Sequence, residues 1–337
     1  MNYDLVGIGN ALVDIEVQVE DGFLEQFSLV KGGMTLATAE HQVRVLNSLS
    51  GRSMKISSGG SAANTVHGLS VLGAKTYYLG RVANDAYGHH YTEDMTRCGV
   101  GFAGPGAEME GTGSCLVMIT QDTERTMLTH LGVSSALHPD NVDETIVENS
   151  RAVYIEGYLW ATEETRQAAL KLAAIAKKKG IRVAFTLSDA FIANAYKESL
   201  IDFIRWNADI LFCNQVEAQA LTDTKDAESA FSILQGMADT LFLTVGKDGA
   251  WAGKDGEPKI RVAAFPVKAV DTTGAGDLFA AGALFGLIRN LGLKESAVIG
   301  SYCAAQVVTH LGARMPVHSH TDIGKILKTY EELPGKL

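Results

Sequence analysis

The order of apolar and amphipathic segments is the feature that most restricts the fold of this chain. Between residues 152 and 246, short apolar runs of strand length alternate with amphipathic stretches of helix length. The runs and the one long helical stretch are "AVYIEG" (152–157), a helix over about 163–179 ended by Gly180, "IRVAFTL" (181–187), "ADILFCN" (208–214) and "TLFLTVG" (240–246). This alternation predicts parallel βαβ units, with helices on both faces of one sheet.

The ends of the chain extend the same pattern. A strand over 3–9, a helix over 61–73 and a strand over 75–82 are predicted near the N-terminus. Helices are predicted over about 275–290, 294–311 and 320–332. We therefore expect a three-layer α/β/α domain that spans residues 1–337, with a mostly parallel central sheet.

Two segments, about 12–35 and 100–131, read as strands and turns without helices. In the second, "GSCLVMIT" and "RTMLTHL" flank "QDTE", which indicates a hairpin. Paired together, the segments would form a small inserted sheet, and such a sheet over an active site serves as a lid. The alternative is that both are edge strands of the main sheet.

Composition excludes several classes of function. The 337 residues carry 29 basic and 39 acidic side chains, a net charge of −10, which argues against nucleic-acid or anionic-membrane partners. No signal peptide is predicted, and no apolar run approaches the roughly 20 residues that span a bilayer.

Four scattered cysteines without a CxxC pair predict reduced thiols in a cytoplasmic protein. "GHH" (88–90) and "HSH" (318–320) lack further ligands at metal spacing and are expected at the surface.

The stretch "DTTGAGDLFAAG" (271–282) reads as a turn that feeds an apolar helix. Helix N-termini carry partial positive charge and unpaired N–H groups. Gly274 and Gly276 would let those groups approach an anion closely, as a transferring phosphoryl group requires. Asp277, in the first helical turn, fits either a general base or an N-cap. The P-loop pattern and the protein-kinase motifs are absent from the sequence.

Several motifs together resemble the ribokinase-like (pfkB) family of carbohydrate and nucleoside kinases. DTTGAGD matches the family's C-terminal signature, and "GGSAANTVHGLSVLG" with "GRVANDAYG" matches the N-terminal one. Within the family, "GIGNALVDI", "GTGSCLVMITQDTERTML", "AVYIEGYLWATEET" and "FIANAYKESL" resemble the adenosine kinases. The resemblance covers nearly the whole chain and implies the ribokinase-like fold, with ATP as phosphoryl donor and Mg²⁺ as its partner.

The resemblance also implies roles for individual residues. Asp277 would be the catalytic base, the backbone of Gly274, Ala275 and Gly276 an anion hole, and Arg125 in the hairpin a phosphate ligand. A solvated hairpin arginine is the alternative for Arg125. The small-molecule acceptor's hydroxyls would bind to Asp14, helped by Asn10, Gly59, Gly60 and Asn64. The alternative for Asp14 is a turn residue after the first strand.

For the ATP side, the resemblance implies that Asn214 contacts the nucleotide and that Glu217 organises Mg²⁺ through water. Their spacing also fits a helix capping box, and both interpretations can hold together. Thr244, Gly246, Gly249 and Thr272 would contact ATP, although "KDG" by itself indicates a plain tight turn. The family further implies a monovalent cation such as K⁺ near Asp271 and the loop 309–316.

The chain departs from the family's pattern at several positions. Ala83 replaces a glycine, and Tyr158 and Leu159 stand where adenosine kinases carry phenylalanines. Met34 replaces a polar residue near the base. Because the resemblance to adenosine kinases extends through the lid and the middle of the chain, we expect a nucleoside kinase. The departures near the base favour the first alternative, a sugar or sugar-phosphate kinase, and the second alternative is a nucleotide-sensing binding protein. Either a monomer or a homodimer is compatible with the sequence.

Overall fold

The computed structural model describes residues 2–106, 110–122, 124–315 and 322–333. The strands in them are β1 Leu5–Ile8, β2 Leu12–Gln18, β3 Met34–Leu36, β4 Met54–Ser58, β5 Thr76–Leu79, β6 Val100–Phe102, β7 Thr112–Ile119, β8 Arg125–Gly132, β9 Ala152–Glu156, β10 Arg182–Thr186, β11 Ile210–Asn214, β12 Thr240–Thr244, β13 Ala250–Lys254 and β14 Ile260–Val262. The helices are α1 Asp21–Gln26, α2 Ala39–Ser48, α3 Ser61–Val71, α4 Ala86–Arg97, α5 Glu144–Glu148, α6 Glu163–Lys178, α7 Ala190–Ala195, α8 Lys197–Asn207, α9 Gln215–Thr222, α10 Ala227–Gln235, α11 Ala275–Ile288, α12 Leu293–Val307 and α13 Ile323–Glu331.

A nine-stranded sheet forms the centre of the fold, in the order β14-β13-β12-β11-β10-β9-β1-β5-β6. Every neighbouring pair is parallel except the two that involve β13. The predicted mostly parallel sheet is confirmed.

Helices cover both faces of this sheet. Along β9, Val153 and Ile155 pack into a core that includes residues of α6, α8 and α10. Tyr154 points to the opposite face, into a core built with α3, α11 and α12. Because successive strand residues alternate between faces, an almost wholly apolar strand such as β9 indicates a sheet that is buried on both sides. The three-layer prediction is therefore correct.

A separate five-stranded sheet, in the order β3-β8-β7-β2-β4, contains the predicted hairpin as the antiparallel pair β7–β8. We call it the lid sheet. Its outer face packs Ile15, Leu116 and Met118 with Val45 of α2. Its inner face carries Asp14 and Arg125 toward the main sheet. The edge-strand alternative is wrong for β2, β3, β7 and β8, which all lie in this second sheet.

Several boundaries differ from the sequence prediction. The segment 12–35 contains the helix α1, which buries Phe23 and Leu24. This helix has only six residues, which are too few to show a helical periodicity in the sequence. Residues 100–102 form β6, which pairs with β5 in the main sheet rather than with the lid. The strand β4 was not predicted, since only the last of its five residues is fully buried. The predicted helix 294–311 ends at Val307, and the predicted start of the last helix, at residue 320, lies outside the described residues.

Three smaller predictions have structural outcomes. All four cysteines are free, and three of them are buried. His89 and His90 are exposed on α4 as expected, whereas 318–320 lies outside the described residues. No helix in the described part of the chain is long and apolar enough to cross a membrane.

Candidate active site

A cavity of about 540 Å³ lies between the lid sheet and the carboxyl ends of the main-sheet strands. Open α/β sheets bind ligands at this edge, where loops and helix N-termini converge. The N-termini of α3, α9 and α11 all reach the cavity. The residues predicted from the sequence that line it are Asn10, Asp14, Gly60, Asn64, Arg125, Asn214, Glu217, Thr272, Gly274, Ala275, Gly276 and Asp277.

The glycine-rich turn before α11 requires a glycine at position 274. Gly274 has φ +73°, and an added Cβ would lie 2.5 Å from the carbonyl oxygen of Ala313. Gly276 lines the cavity, and a Cβ there would meet nothing within 4 Å. The first N–H groups of a helix have no intrahelical acceptors. The turn is therefore suited to hold an anion in the cavity.

Asp277 does not cap its own helix. The N-cap of α11 is Gly274, without a side-chain cap. The Asp277 carboxylate instead accepts from Ser61 Oγ at 2.7 Å and from Asn64 Nδ2 at 3.0 Å, both on α3. Burial raises the pKa of Asp277 to about 6, while these two hydrogen bonds oppose the rise. The N-cap interpretation is wrong, and the geometry fits a base that is ionised at neutral pH.

Asp14 lies on the inner face of the lid sheet with its carboxylate toward the cavity. An added Cβ on Gly59 would lie 2.3 Å from Asp14 Oδ2, so Gly59 makes room for this carboxylate without lining the cavity. Among the described residues we find no protein donor on Asp14. Burial raises its pKa to about 7, although the charge of Arg125 opposes this. Such a carboxylate can accept from ligand hydroxyls.

Glu156, at the end of β9, was missed by the sequence analysis. It is buried, and it accepts from the backbone N–H of Asn10 at 2.7 Å, from Asn10 Nδ2 at 3.0 Å and from the N–H of Ala62 at 2.7 Å. Gly60, at φ +94°, precedes α3 here and lies too close to the Asn10 carbonyl for any side chain. An acidic residue at the end of the apolar run "AVYIEG" was the available signal for Glu156.

Asn214 and Glu217 form the predicted capping box at the start of α9. Glu217 accepts from the Asn214 backbone N–H at 3.0 Å and from Asn214 Nδ2 at 2.6 Å. Burial raises the pKa of Glu217 to about 7. No group of three or more His, Cys, Asp or Glu residues in the described ranges is arranged to hold a metal. Each oxygen of Glu217 accepts one of these hydrogen bonds and keeps a further acceptor position, so the carboxylate fits the water shell of a hydrated Mg²⁺.

Arg125 extends from the lid sheet to the glycine-rich turn 271–276, which we call the anion turn. Its side chain is 11% exposed, lies 3.0 Å from Asp271 Oδ1 and 3.9 Å from Glu16 Oε1, and leaves Nε and Nη2 buried without a hydrogen-bond partner. The solvated alternative is wrong. Asp271 also accepts from Thr273 N at 2.9 Å, Thr273 Oγ1 at 2.6 Å and Gly312 N at 2.8 Å. Three of these donors lie on Oδ1 and one on Oδ2, so Oδ2 keeps an acceptor position, and a K⁺ ion near Asp271 and the loop 309–316 stays a prediction.

The predicted nucleotide residues after β11 are only partly brought together. Thr244 lines a small adjoining cavity of about 70 Å³, together with Asn214 and Asp277. Gly246 and Gly249 line neither cavity. A Cβ on Gly249 would lie 2.0 Å from the carbonyl oxygen of Val262, which is the requirement of a tight turn against β14. Contact of these two glycines with ATP stays a prediction.

Part of the cavity wall on the lid side is apolar. Residues on the inner face of β8 alternate with buried ones, and Met127 and Leu131 line the cavity with Met34 and Leu36 of β3. Tyr158 lines it from the opposite side. Leu159, its neighbour in the sequence, does not line the cavity, because it is fully buried in the core on the α6 side of the main sheet.

Comparison with known proteins gives the family. The pfkB family of carbohydrate kinases matches residues 33–320. The chain belongs to this family. It is similar to the structure of adenosine kinase from Sinorhizobium meliloti (36% identity, 98% of this chain, 99% of that chain, TM-score 0.91). It is also similar to the structure of a probable sugar kinase from Rhizobium etli (34%, 98%, 99%, TM-score 0.90).

A curated relative extends this similarity beyond the bacterial structures. Adenosine kinase of Saccharomyces cerevisiae is 28% identical over 336 residues, which cover 94% of this chain and 98% of the relative. The chain is therefore a ribokinase-like kinase of the pfkB family that uses ATP as its phosphoryl donor.

Proposed function

We propose that this kinase transfers the γ-phosphoryl group of ATP to the 5′-hydroxyl of a nucleoside, most favourably adenosine. The supporting observation is the lining of the cavity, which combines polar groups with an apolar patch. Asp14, Asn64 and Asp277 supply polar groups, and the neighbouring lid strands β3 and β8 supply the apolar side chains of Met34, Leu36, Met127 and Leu131. A ribose would bind to the polar groups and a flat base would cover the apolar patch, which a free sugar would leave uncovered.

Asp277 would act as the general base. Its carboxylate would take the proton of the acceptor hydroxyl as that oxygen attacks phosphorus. The hydrogen bonds from Ser61 and Asn64 hold it in one orientation on the cavity wall. The Gly274–Gly276 backbone would meet the charge that develops on the phosphoryl oxygens. Asp14 would hold the ribose hydroxyls, since a buried carboxylate rejects ligands that leave it unpaired.

The unpartnered donors of Arg125 support a phosphate ligand beside the anion turn. Nε and Nη2 are buried without a hydrogen-bond partner, although Nη2 lies 3.9 Å from Glu16 Oε1, and a guanidinium fork suits the spread charge of a phosphoryl group. Glu217 and Asn214 would hold Mg²⁺ through water. When bound, the ion neutralises the charge between the β- and γ-phosphates. Closure of the lid sheet over the acceptor would exclude water and limit ATP hydrolysis.

ADP release with Mg·ATP tests the proposal directly, with adenosine, inosine, guanosine, cytidine, ribose and fructose as acceptors. We expect the highest kcat/KM with adenosine and lower values with the free sugars. Turnover of a free sugar above every nucleoside would reject the nucleoside assignment and keep the kinase mechanism.

A sugar kinase is the second candidate. Met34 lines the cavity where eukaryotic adenosine kinases carry a polar residue near the base, so an adenine would lack that polar contact here. One similar solved structure is that of a probable sugar kinase. The third candidate, a sensor without turnover, is less well supported because Asp277 and the intact turn would be unnecessary for binding. Acceptor-dependent ADP release would exclude it.

A further inference from the structure

Arg314 lies in the loop 311–314, next to the anion turn, and its side chain contacts residues of both α3 and α4. Its side chain is 12% exposed, and it forms an ion pair with Asp94 of α4. Nη2 lies 3.4 Å from Met95 Sδ, and the guanidinium carbon lies 5.8 Å from the ring centroid of Tyr91. Nε donates to Asn64 Oδ1 at 3.2 Å. The guanidinium thus links α4 to α3, although it does not line the cavity.

Asn64 has a different charged group on each end of its amide. Its Nδ2 donates to Asp277 Oδ2 at 3.0 Å, while its Oδ1 accepts from Arg314. A guanidinium can only donate and a carboxylate can only accept, so this orientation of the amide is the one that satisfies both neighbours. Asn64 is 4% exposed, so no water-exposed orientation competes with it.

We infer that Arg314 is a positioning residue, which fixes the Asn64 amide so that it donates to the ionised Asp277. The inference rests on the proposed role of Asp277 as general base. Without the guanidinium, the Asn64 amide can turn over and present Oδ1 to Asp277. That orientation accepts a hydrogen bond from protonated Asp277, so it stabilises the inactive form of the base.

Other ionisable groups face Asp277, so the test has to separate them. Glu156 of β9, Glu217 of α9, Asp14 of β2 and Arg125 of β8 lie around the same cavity, and Tyr154 of β9 and Tyr158 lie close by. The charge of Arg314 acts on Asp14 directly. A change in the base appears in the pH dependence of kcat, whereas a change in Asp14 appears in the acceptor's KM.

The test compares Arg314→Met with Arg97→Met in the full-length enzyme. Arg97 pairs with the same Asp94, but it is 71% exposed and has no contact with Asn64, which makes it a matched control. We expect the acid limb of kcat in Arg314→Met to move up by about one pH unit, because the base loses a hydrogen bond to its charged form. The KM for ATP stays unchanged, and Arg97→Met keeps the wild-type profile.

An unshifted acid limb in a folded Arg314→Met enzyme, or a shift confined to the acceptor's KM, overturns the inference. If this variant melts before it can be assayed, Arg314→Lys decides, since a lysine keeps the charge but cannot reach both Asp94 and Asn64 with a planar fork. A smaller upward shift of the acid limb in Arg314→Lys supports the inference, and the absence of any shift refutes it. Wild-type enzyme without turnover of any acceptor would instead reject the proposed function.

Discussion

Replacement of Asp277 by asparagine removes the charge of the proposed base and little else. The two groups that contact the carboxylate are Ser61 Oγ and Asn64 Nδ2. An asparagine at 277 can accept from Asn64 through its oxygen and donate to the Ser61 hydroxyl, which rotates to accept. The hydrogen-bond network therefore survives, and we expect Asp277→Asn to fold and to bind ATP like the wild type.

The expected loss of turnover follows from the base's role and its pKa. A positioned general base contributes roughly 10²–10⁴-fold to a rate, so kcat of Asp277→Asn should fall by at least about 10²-fold. In the wild type, a pKa of about 6 leaves the carboxylate almost fully ionised at pH 7.5 and about a tenth ionised at pH 5. Since only the ionised form accepts a proton, wild-type kcat should fall roughly tenfold between these pH values.

The assay is coupled ADP release with Mg·ATP and the best acceptor, measured from pH 5 to 9. Melting temperature and ATP binding of Asp277→Asn are measured beside it, to show that the variant is folded. The acid limb of the wild type should be missing from any residual activity of the variant. A folded variant with kcat within a few-fold of wild type would falsify the assignment of Asp277 as the base.

Three further outcomes follow from the geometry. Asp14→Ala should raise the acceptor's KM with little change in the KM for ATP, and an unchanged acceptor KM would refute the hydroxyl clamp. Gly274→Ala should lower the melting temperature, because of its φ and the Ala313 carbonyl, whereas Gly276→Ala should melt normally and lose kcat, because its methyl enters the anion site. A normal melting temperature for Gly274→Ala together with a lowered one for Gly276→Ala would contradict this. Exchange of K⁺ for tetramethylammonium should lower kcat, because Asp271 Oδ2 accepts from Gly312 N alone and can also contact the expected cation. An unchanged kcat would refute a cation at this position.

The sequence predicted those parts of the site that lie in continuous motifs. Gly274 and Asp277 belong to one seven-residue stretch, and Asn64 belongs to another, so local pattern and resemblance were enough to find them. Glu156 and Arg314 were not predicted. Their partners lie 94 and 250 residues away in the chain, at Ala62 and Asn64, and only the folded sheet and its loops bring them together.

The same limit applied to the lid sheet. The hairpin β7–β8 was predictable because its two strands adjoin in sequence around "QDTE". The parallel pairing of β2 with β7 joins segments about a hundred residues apart, and the half-exposed β4 has no clear alternation. Local pattern therefore indicated that a second sheet exists, and tertiary pairing decided which strands belong to it.

The loop 311–314 contacts the lid sheet, the anion turn and the residue that orients the proposed base. The Leu311 carbonyl accepts from Lys55 of the lid sheet at 3.0 Å, and the Gly312 N–H donates to Asp271. Ala313 packs against Gly274, and Arg314 holds Asn64. Four consecutive residues thus contact three parts of the site: the lid sheet, the anion turn and the residue that orients Asp277. Because one short loop makes all these contacts, the positions of the three parts depend on the same few backbone atoms.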